Sequence, residues 1–427
     1  MPALISDSAI YAIATLASLG VVARPWRFPE ATWAVTGACA LVLFGLLPWT
    51  DAVQAVHKGN DVYMFLVGMM LLSELARREG LFDYLAALCV RRAQGSSPRL
   101  FLYVYIVGTI VTVFMSNDAT AVVLTPAVLA VSRKAKASAL PYLLVCAFIA
   151  NAASFVLPIS NPANLVVFGD KLPPLVQWVG RFILPSALAV VATYGVLRFL
   201  CRHELRVQVA EVVDVPTLSA AGQLSAWGIA ASAVILLGAS ALDVPLGPPT
   251  LAAAVGVLIV ILARKRESPR QVMANVSWSV LPLVAGLFIL VEGLQRAGAI
   301  EALTNVLHTA AASSTAGTAM AAGSIVALTC NLMNNLPAGL IAGLVVGDAN
   351  VTPLVQSAVA IGVDLGPNLS VTGSLATILW LLAIRREGED VTAWQFLRVG
   401  AVAMPVALAL ALLGLLAQAA VQGLFTA

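Results

Sequence analysis

Charge is what this chain has least of. Only 11% of its 427 residues are Asp, Glu, Lys or Arg, whereas 60% are hydrophobic. That balance excludes the two or three soluble domains such a length could otherwise hold. Histidine is scarce at 3, and the 5 cysteines lie apart with no CxxC spacing, so neither a metal cage nor a disulfide framework is written here. No phosphate-binding P-loop, no HExxH helix and no GxSxG elbow occurs, which removes the commonest nucleotide, zinc and serine chemistries. No cofactor and no resident metal are expected. The net charge of +3 is too small to indicate a nucleic-acid partner. The first nine residues carry Asp7 and no Lys or Arg, unlike the basic start of a cleavable signal, so the first apolar run is expected to stay as a span.

What remains is apolar. Runs of about 18 or more such residues recur along nearly the whole length, enough to cross hydrocarbon. Unpaired backbone groups in lipid cost several kcal/mol each, so these runs must be helices. The chain therefore reads as an all-α polytopic membrane protein whose partner is the lipid bilayer. Spans are expected at 8–23, 31–48, 60–78, 141–165 and 182–200, then at 226–241, 249–266, 278–296, 353–385 and 396–424. Residues 80–95 and 299–313 read as interfacial helices.

An internal repeat organises these spans. Gly68, Glu74, Arg78, Gly80, Asp83 and Leu85 return 218 residues later as Gly286, Glu292, Arg296, Gly298, Glu301 and Leu303. Glu74 with Arg78, and Glu292 with Arg296, stand four apart on one helical face and are expected to form ion pairs. Residues 1–202 are the first repeat and 224–427 the second, joined by a polar linker at 203–223. Between the third and fourth span of each repeat lies an apolar segment interrupted at an asparagine motif, at 100–132 and 315–347. Each is too short for two crossings and is expected to be a re-entrant hairpin, tolerated where it packs in protein or lines a cavity.

Charge orients the scheme. With both termini outside, the cytoplasmic loops receive 20 of the 24 Lys and Arg residues; only Lys58, Lys171, Arg181 and Arg296 fall outside. That is the bias of an inner-membrane protein. Five spans per repeat is odd, so the second repeat enters from the opposite face. The fold class is thus two inverted repeats of five transmembrane helices, each with one re-entrant hairpin and one broken helix, the plan of alternating-access carriers.

Four breaks supply the chemistry. The hairpins turn at Ser116-Asn117-Asp118 and at Asn334-Asn335-Leu336-Pro337. Each turn exposes backbone N–H groups at the start of a returning helix, and asparagine both donates and accepts. The other two breaks fall inside spans. Pro158-Ile159-Ser160-Asn161-Pro162-Ala163-Asn164 interrupts 141–165, because Pro162 cannot continue a helix, and Gly366-Pro367 to Ser374 interrupts 353–385. At an offset of 212, Ser160 matches Thr372. Ser116, Asn117, Ser160, Asn161, Asn164, Asn334, Asn335, Thr372 and Ser374 are the candidate substrate-binding residues. Ionisable groups at membrane depth mark function by default. Burial disfavours the charged form of a carboxylate, which suits a proton carrier, so Asp118 and Asp364 are the candidate proton-coupling residues.

At these motifs the sequence resembles the ArsB-type arsenite permeases of the ion transporter superfamily. The resemblance rests on Ser116-Asn117-Asp118 with Leu124-Thr125-Pro126, on Asn334-Asn335-Leu336-Pro337 and Asp364-Leu365-Gly366-Pro367, and on Gly373-Ser374-Leu375-Ala376-Thr377 before Leu379-Trp380-Leu381. It departs from the family at Asn368, where a Lys is common, and at Leu336, where a Met is. The resemblance implies a bacterial or archaeal secondary transporter that exports arsenite, As(OH)3, and antimonite in exchange for protons. The metalloid would be cargo, and a soluble arsenite-stimulated ATPase would be a possible partner. The rivals are a sodium-coupled dicarboxylate or sodium/proton carrier of the same superfamily, and the membrane subunit of an ATPase-driven pump.

Overall fold

The computed structural model describes residues 2–210 and 215–422, and all regular structure among them is helical. In the first part of the chain α1 (Pro2–Ala23), α2 (Glu30–Leu43), α3 (Trp49–Lys58) and α4 (Asn60–Arg78) lead to α5 (Leu81–Ala93). Next come α6 (Ser97–Phe114), a π-helical turn at Ala119–Leu124 running into α7 (Thr125–Lys134), then α8 (Ala139–Ala152), α9 (Pro162–Phe168) and α10 (Leu175–Leu200). The second part has α11 (Ala220–Ala241), α12 (Gly247–Lys265), α13 (Arg270–Asn275), α14 (Val280–Arg296) and α15 (Ala299–Ser313). It ends with α16 (Thr315–Met333), α17 (Asn335–Asp348), α18 (Pro353–Leu365), α19 (Leu375–Arg386) and α20 (Ala393–Gln422).

Seven described helices are long and apolar enough to cross a membrane, or eight when α14 and α15, bent by 73°, count as one. The ten expected spans are met by fewer single helices. The spans at 141–165 and 353–385 are broken as expected, into α8/α9 and α18/α19; α2 has only 14 residues; α4 carries Asp61, Glu74, Arg77 and Arg78; and α14, at 17 residues, is long enough only together with α15. The hairpins differ from expectation in their first arms. α6 and α16, at 18 and 19 residues, are each long enough to cross alone, and only the returning arms α7 and α17 are short.

Helices that match in the repeat also pack alike. α4 lies on α12 and α2 on α14; α6 lies on α8 and α16 on α18; α5 lies on α7 and α15 on α17; α10 and α20 pack on each other. The repeated glycines follow from this. A Cβ on Gly68 would sit 2.8 Å from the Thr250 backbone, and one on Gly286 2.8 Å from that of Ala34, so both crossings need a bare backbone. Gly80 and Gly298 hold φ of 73° and 78° at the bends into α5 and α15, a region that glycine enters without strain.

In neither repeat do the two repeated charges pair with each other. Glu74 binds Arg77 at 2.6 Å and accepts from Asn275 at 3.1 Å, while Arg78 reaches Glu267 and Gln271. Glu292 binds Lys58 at 2.7 Å and Arg296 binds Asp51 at 2.9 Å. An exposed pair along one helix is worth only about 0.3–0.5 kcal/mol, so acids and amides offered by the other half of the chain displace it. These contacts also fix direction. Lys58, two residues before α4, meets the end of α14 (Glu292), and the end of α4 (Glu74) meets the segment before α14 (Asn275). The two repeat-equivalent helices therefore run antiparallel.

Candidate functional site

Both hairpin turns are built by their own side chains. Ser116 Oγ accepts from the Ala119 amide at 3.1 Å, and Asn117 Oδ1 from the Asp118 amide at 2.9 Å. In the second turn Asn334 adopts φ 75° and ψ 153°, and its side chain accepts from the Leu336 amide at 3.2 Å. The Asn335 amide is equally buried and makes no side-chain hydrogen bond among the described residues. Of the expected turn residues, Asn117 and Asn335 therefore keep side-chain donors in reserve, whereas Ser116 and Asn334 cap the returning helices.

The breaks in the spans are tied to the hairpins in the same way in each half. Ser160 Oγ donates to the Val113 carbonyl at 3.0 Å, and Thr372 Oγ1 to that of Asn331 at 3.4 Å. Val113 and Asn331 are themselves 218 apart. Ser160 and Thr372, expected to hold substrate, thus spend their hydroxyls holding each break against a hairpin arm. Asn164 is likewise engaged, donating to the Ser154 carbonyl at 2.9 Å.

Where α8, α9 and α18 meet, the two breaks join in a polar seam. Asp364 Oδ1 accepts from Ser154 Oγ at 2.6 Å and from Asn161 Nδ2. Asn151 Nδ2 donates to Asn368 Oδ1 at 3.0 Å, Asn368 Nδ2 to the Phe148 carbonyl at 3.1 Å, and Ser374 Oγ to Asn151 Oδ1 at 3.3 Å. Every one of these side chains is at most 2% exposed. Asn161, Ser374 and Asp364 were expected at the site. Asn151, Ser154 and Asn331 were missed. The signal for the first two was present: they are the polar residues in an otherwise apolar stretch just before the first break.

Asp118 has a different setting. It lines a cavity of about 70 Å³ with Ser73, Glu74, Ser116, Pro162 and Asn275. A second cavity, of about 480 Å³, lies beside Lys58, Val167, Phe288, Val291, Glu292 and Leu340. The two are equivalent under the repeat. At an offset of 218, Met70, Ser73, Glu74 and Val122 of the narrow cavity map onto Phe288, Val291, Glu292 and Leu340 of the wide one. At 212, Leu379 maps onto Val167. Because α4 and α14 are antiparallel, Glu74 and Glu292 mark opposite ends of the helical layer. One cavity is wide and its counterpart narrow.

The profile of a family described as citrate transporter (CitMHS) matches residues 19–363. The chain belongs to that family. Among curated proteins it is 28% identical over 391 residues to an arsenical pump membrane protein of Escherichia coli, covering 87% of this chain and 89% of the relative. It is 26% identical over 408 residues to an uncharacterised transporter of Mycobacterium tuberculosis, covering 90% and 92%. Its fold is that of the Alcanivorax borkumensis YdaH transporter, whose crystal structure is described as revealing an unusual topology: TM-score 0.61 at 16% identity, over 88% of this chain and 89% of the other. The chain is a multi-pass membrane transporter and not an enzyme, as the sequence led one to expect. The likeness to arsenite permeases is borne out by the relatives.

Proposed function

We propose that this protein is a secondary active transporter that exports arsenite and antimonite as neutral trihydroxides in exchange for protons. The observation that supports this most is the pair of repeat-equivalent cavities at opposite ends of α4 and α14, one of about 480 Å³ and one of about 70 Å³. Two inverted repeats that exchange conformations would widen one as the other closes. On the positive-inside scheme the wide cavity faces outward, in an inner membrane with both termini outside and 203–223 inside.

The chemistry favours a neutral solute. The four breaks offer Asn, Ser and Thr with no Lys or Arg, and the wide cavity holds Asp61, Asp243, Asp348 and Glu292 against Lys58 and Lys171. Four carboxylates against two ammonium groups repel citrate or a dicarboxylate and tolerate As(OH)3. Asn117 and Asn335 supply amides for its hydroxyls, with Asn161 and Ser374 behind them. Asp118 and Asp364 are the carboxylates available for coupling. For a neutral solute the membrane potential acts only on the proton, which supplies about 2.3 kcal/mol per 100 mV.

Everted membrane vesicles test this directly. An imposed proton gradient should drive arsenite uptake without sodium and without ATP, and Asp118→Asn should abolish accumulation. Uptake that requires sodium would turn the reading to the sodium-coupled carriers. Uptake that requires ATP and a soluble ATPase would make the chain a pump subunit.

A further inference from the structure

The buried seam contains one polar atom without a partner. Asp364 is 1% exposed; its Oδ1 takes two donors, and its Oδ2 takes none. An unsatisfied oxygen of a buried carboxylate is more costly than a neutral one, and a proton on that oxygen removes the charge. Ser154 adds a second feature. Its single hydroxyl proton has two acceptors in reach, Asp364 Oδ1 at 2.6 Å and the Asn151 carbonyl at 2.7 Å. With Asp364 ionised, the proton is drawn to the carboxylate. With Asp364 neutral, it can close the end of α8 instead. The charge on Asp364 therefore decides which acceptor Ser154 takes, while Asn161 keeps the first break bonded to α18.

The surroundings leave that charge uncompensated. α8 and the segment leading into α9 present Ser154 and Asn161, and α16 brings the Cys330 thiol close enough to feel the carboxylate. No charged side chain from these elements, or from α17 or α20, bears on it among the described residues. Asp118, by contrast, lines a cavity, and among the described residues no hydrogen bond joins it to Ser154 or Asn161.

We propose that the coupling proton resides on Asp364, with Ser154 and Asn161 as positioning residues that hold Oδ1 and leave Oδ2 to the proton, while Asp118 serves the solute. This rests on the proton-exchange reading above and divides its two carboxylates. The step is a plain protonation: an O–H bond forms at Oδ2 with a proton from water, and the same bond breaks on release.

Infrared difference spectroscopy of the purified, lipid-reconstituted protein during a pH titration tests it. The carbonyl band of a protonated carboxyl should vanish in Asp364→Asn and persist in Asp118→Asn. In Asn161→Ala a donor to the ionised form is lost, so the band should persist to a pH about one unit higher, the size of one charge-assisted hydrogen bond. Asn161→Ser should bring it back toward wild type, which a purely structural residue would not do. A band that survives Asp364→Asn, or that Asn161→Ala leaves in place, overturns the proposal. Should the band behave as expected while wild-type vesicles show no proton-driven metalloid uptake, the proton site stands and the transport reading falls.

Discussion

The contact between Asn151 and Asn368 joins side chains 217 residues apart at 3.0 Å, and its removal can be worked out atom by atom. Asn368→Leu strands the Asn151 amide, while the Phe148 carbonyl keeps its bond within α8. Asn151→Leu strands chiefly Asn368 Oδ1, since Ser374 keeps Thr377 at 3.0 Å. Each stranded buried group costs about 1–3 kcal/mol, so the two single variants should cost similar amounts. The double variant strands neither group, so it should be more stable than the sum of the singles by at least about 1 kcal/mol. That figure lies between the roughly 0.6 kcal/mol average of interhelical bonds in membranes and their maximum near 1.7. Unfolding of the four proteins in the same mixed micelles, titrated with a denaturing detergent, gives the cycle. Additivity within about 0.3–0.5 kcal/mol would refute the bond.

Two further outcomes follow from the symmetric contacts. Gly68→Val and Gly286→Val should each destabilise by about 1–3 kcal/mol in the same detergent titration, the usual cost of overpacking, while Gly347→Ala, with nothing within 4 Å of its Cβ and a helical backbone that favours alanine, should not destabilise. In a cysteine-free background, Phe288→Cys in the wide cavity should react with a membrane-impermeant maleimide faster than its equivalent Met70→Cys in the narrow one. Equal rates would mean that the two cavities do not differ in access.

How far the sequence revealed this arrangement depended on whether a residue acts locally. Gly68, Gly80, Gly286 and Gly298 could be found by their spacing because each answers to a local backbone demand, a close crossing or a positive φ. The ion pairs were misread for the opposite reason. Glu74 and Arg78 have i,i+4 spacing, but Glu74 takes Arg77 and Asn275 instead, and Arg78 takes Glu267 from a segment that no local pattern links to it. The same holds within the site. The four breaks were legible from Asn and Pro, whereas the use of Ser160 and Thr372 as tethers depends on where the hairpin carbonyls fall in space. Asn151 and Ser154 stand as polar residues inside an expected span, but what they bond to depends on where the other break lies in space.

The repeat also explains why only one acid–donor cluster is built. At the offset of 212 that relates the two breaks, Ser154 falls on Gly366, Asn161 on Gly373, and Asp364 on Ala152. Both donors are replaced by glycine and the acid by alanine, so the mirrored cluster is erased at all three positions. Packing enforces two of these. A Cβ on Gly366 would lie 2.3 Å from the Ala327 carbonyl, and one on Gly373 2.7 Å from Asn331 Oδ1, so no polar side chain fits where hairpin and break press closest. A second acid at Ala152 would set like charges near each other in a medium of low dielectric, where one of them must stay neutral. A single carboxylate escapes that conflict, which is the departure from symmetry that the proposed proton site on Asp364 requires.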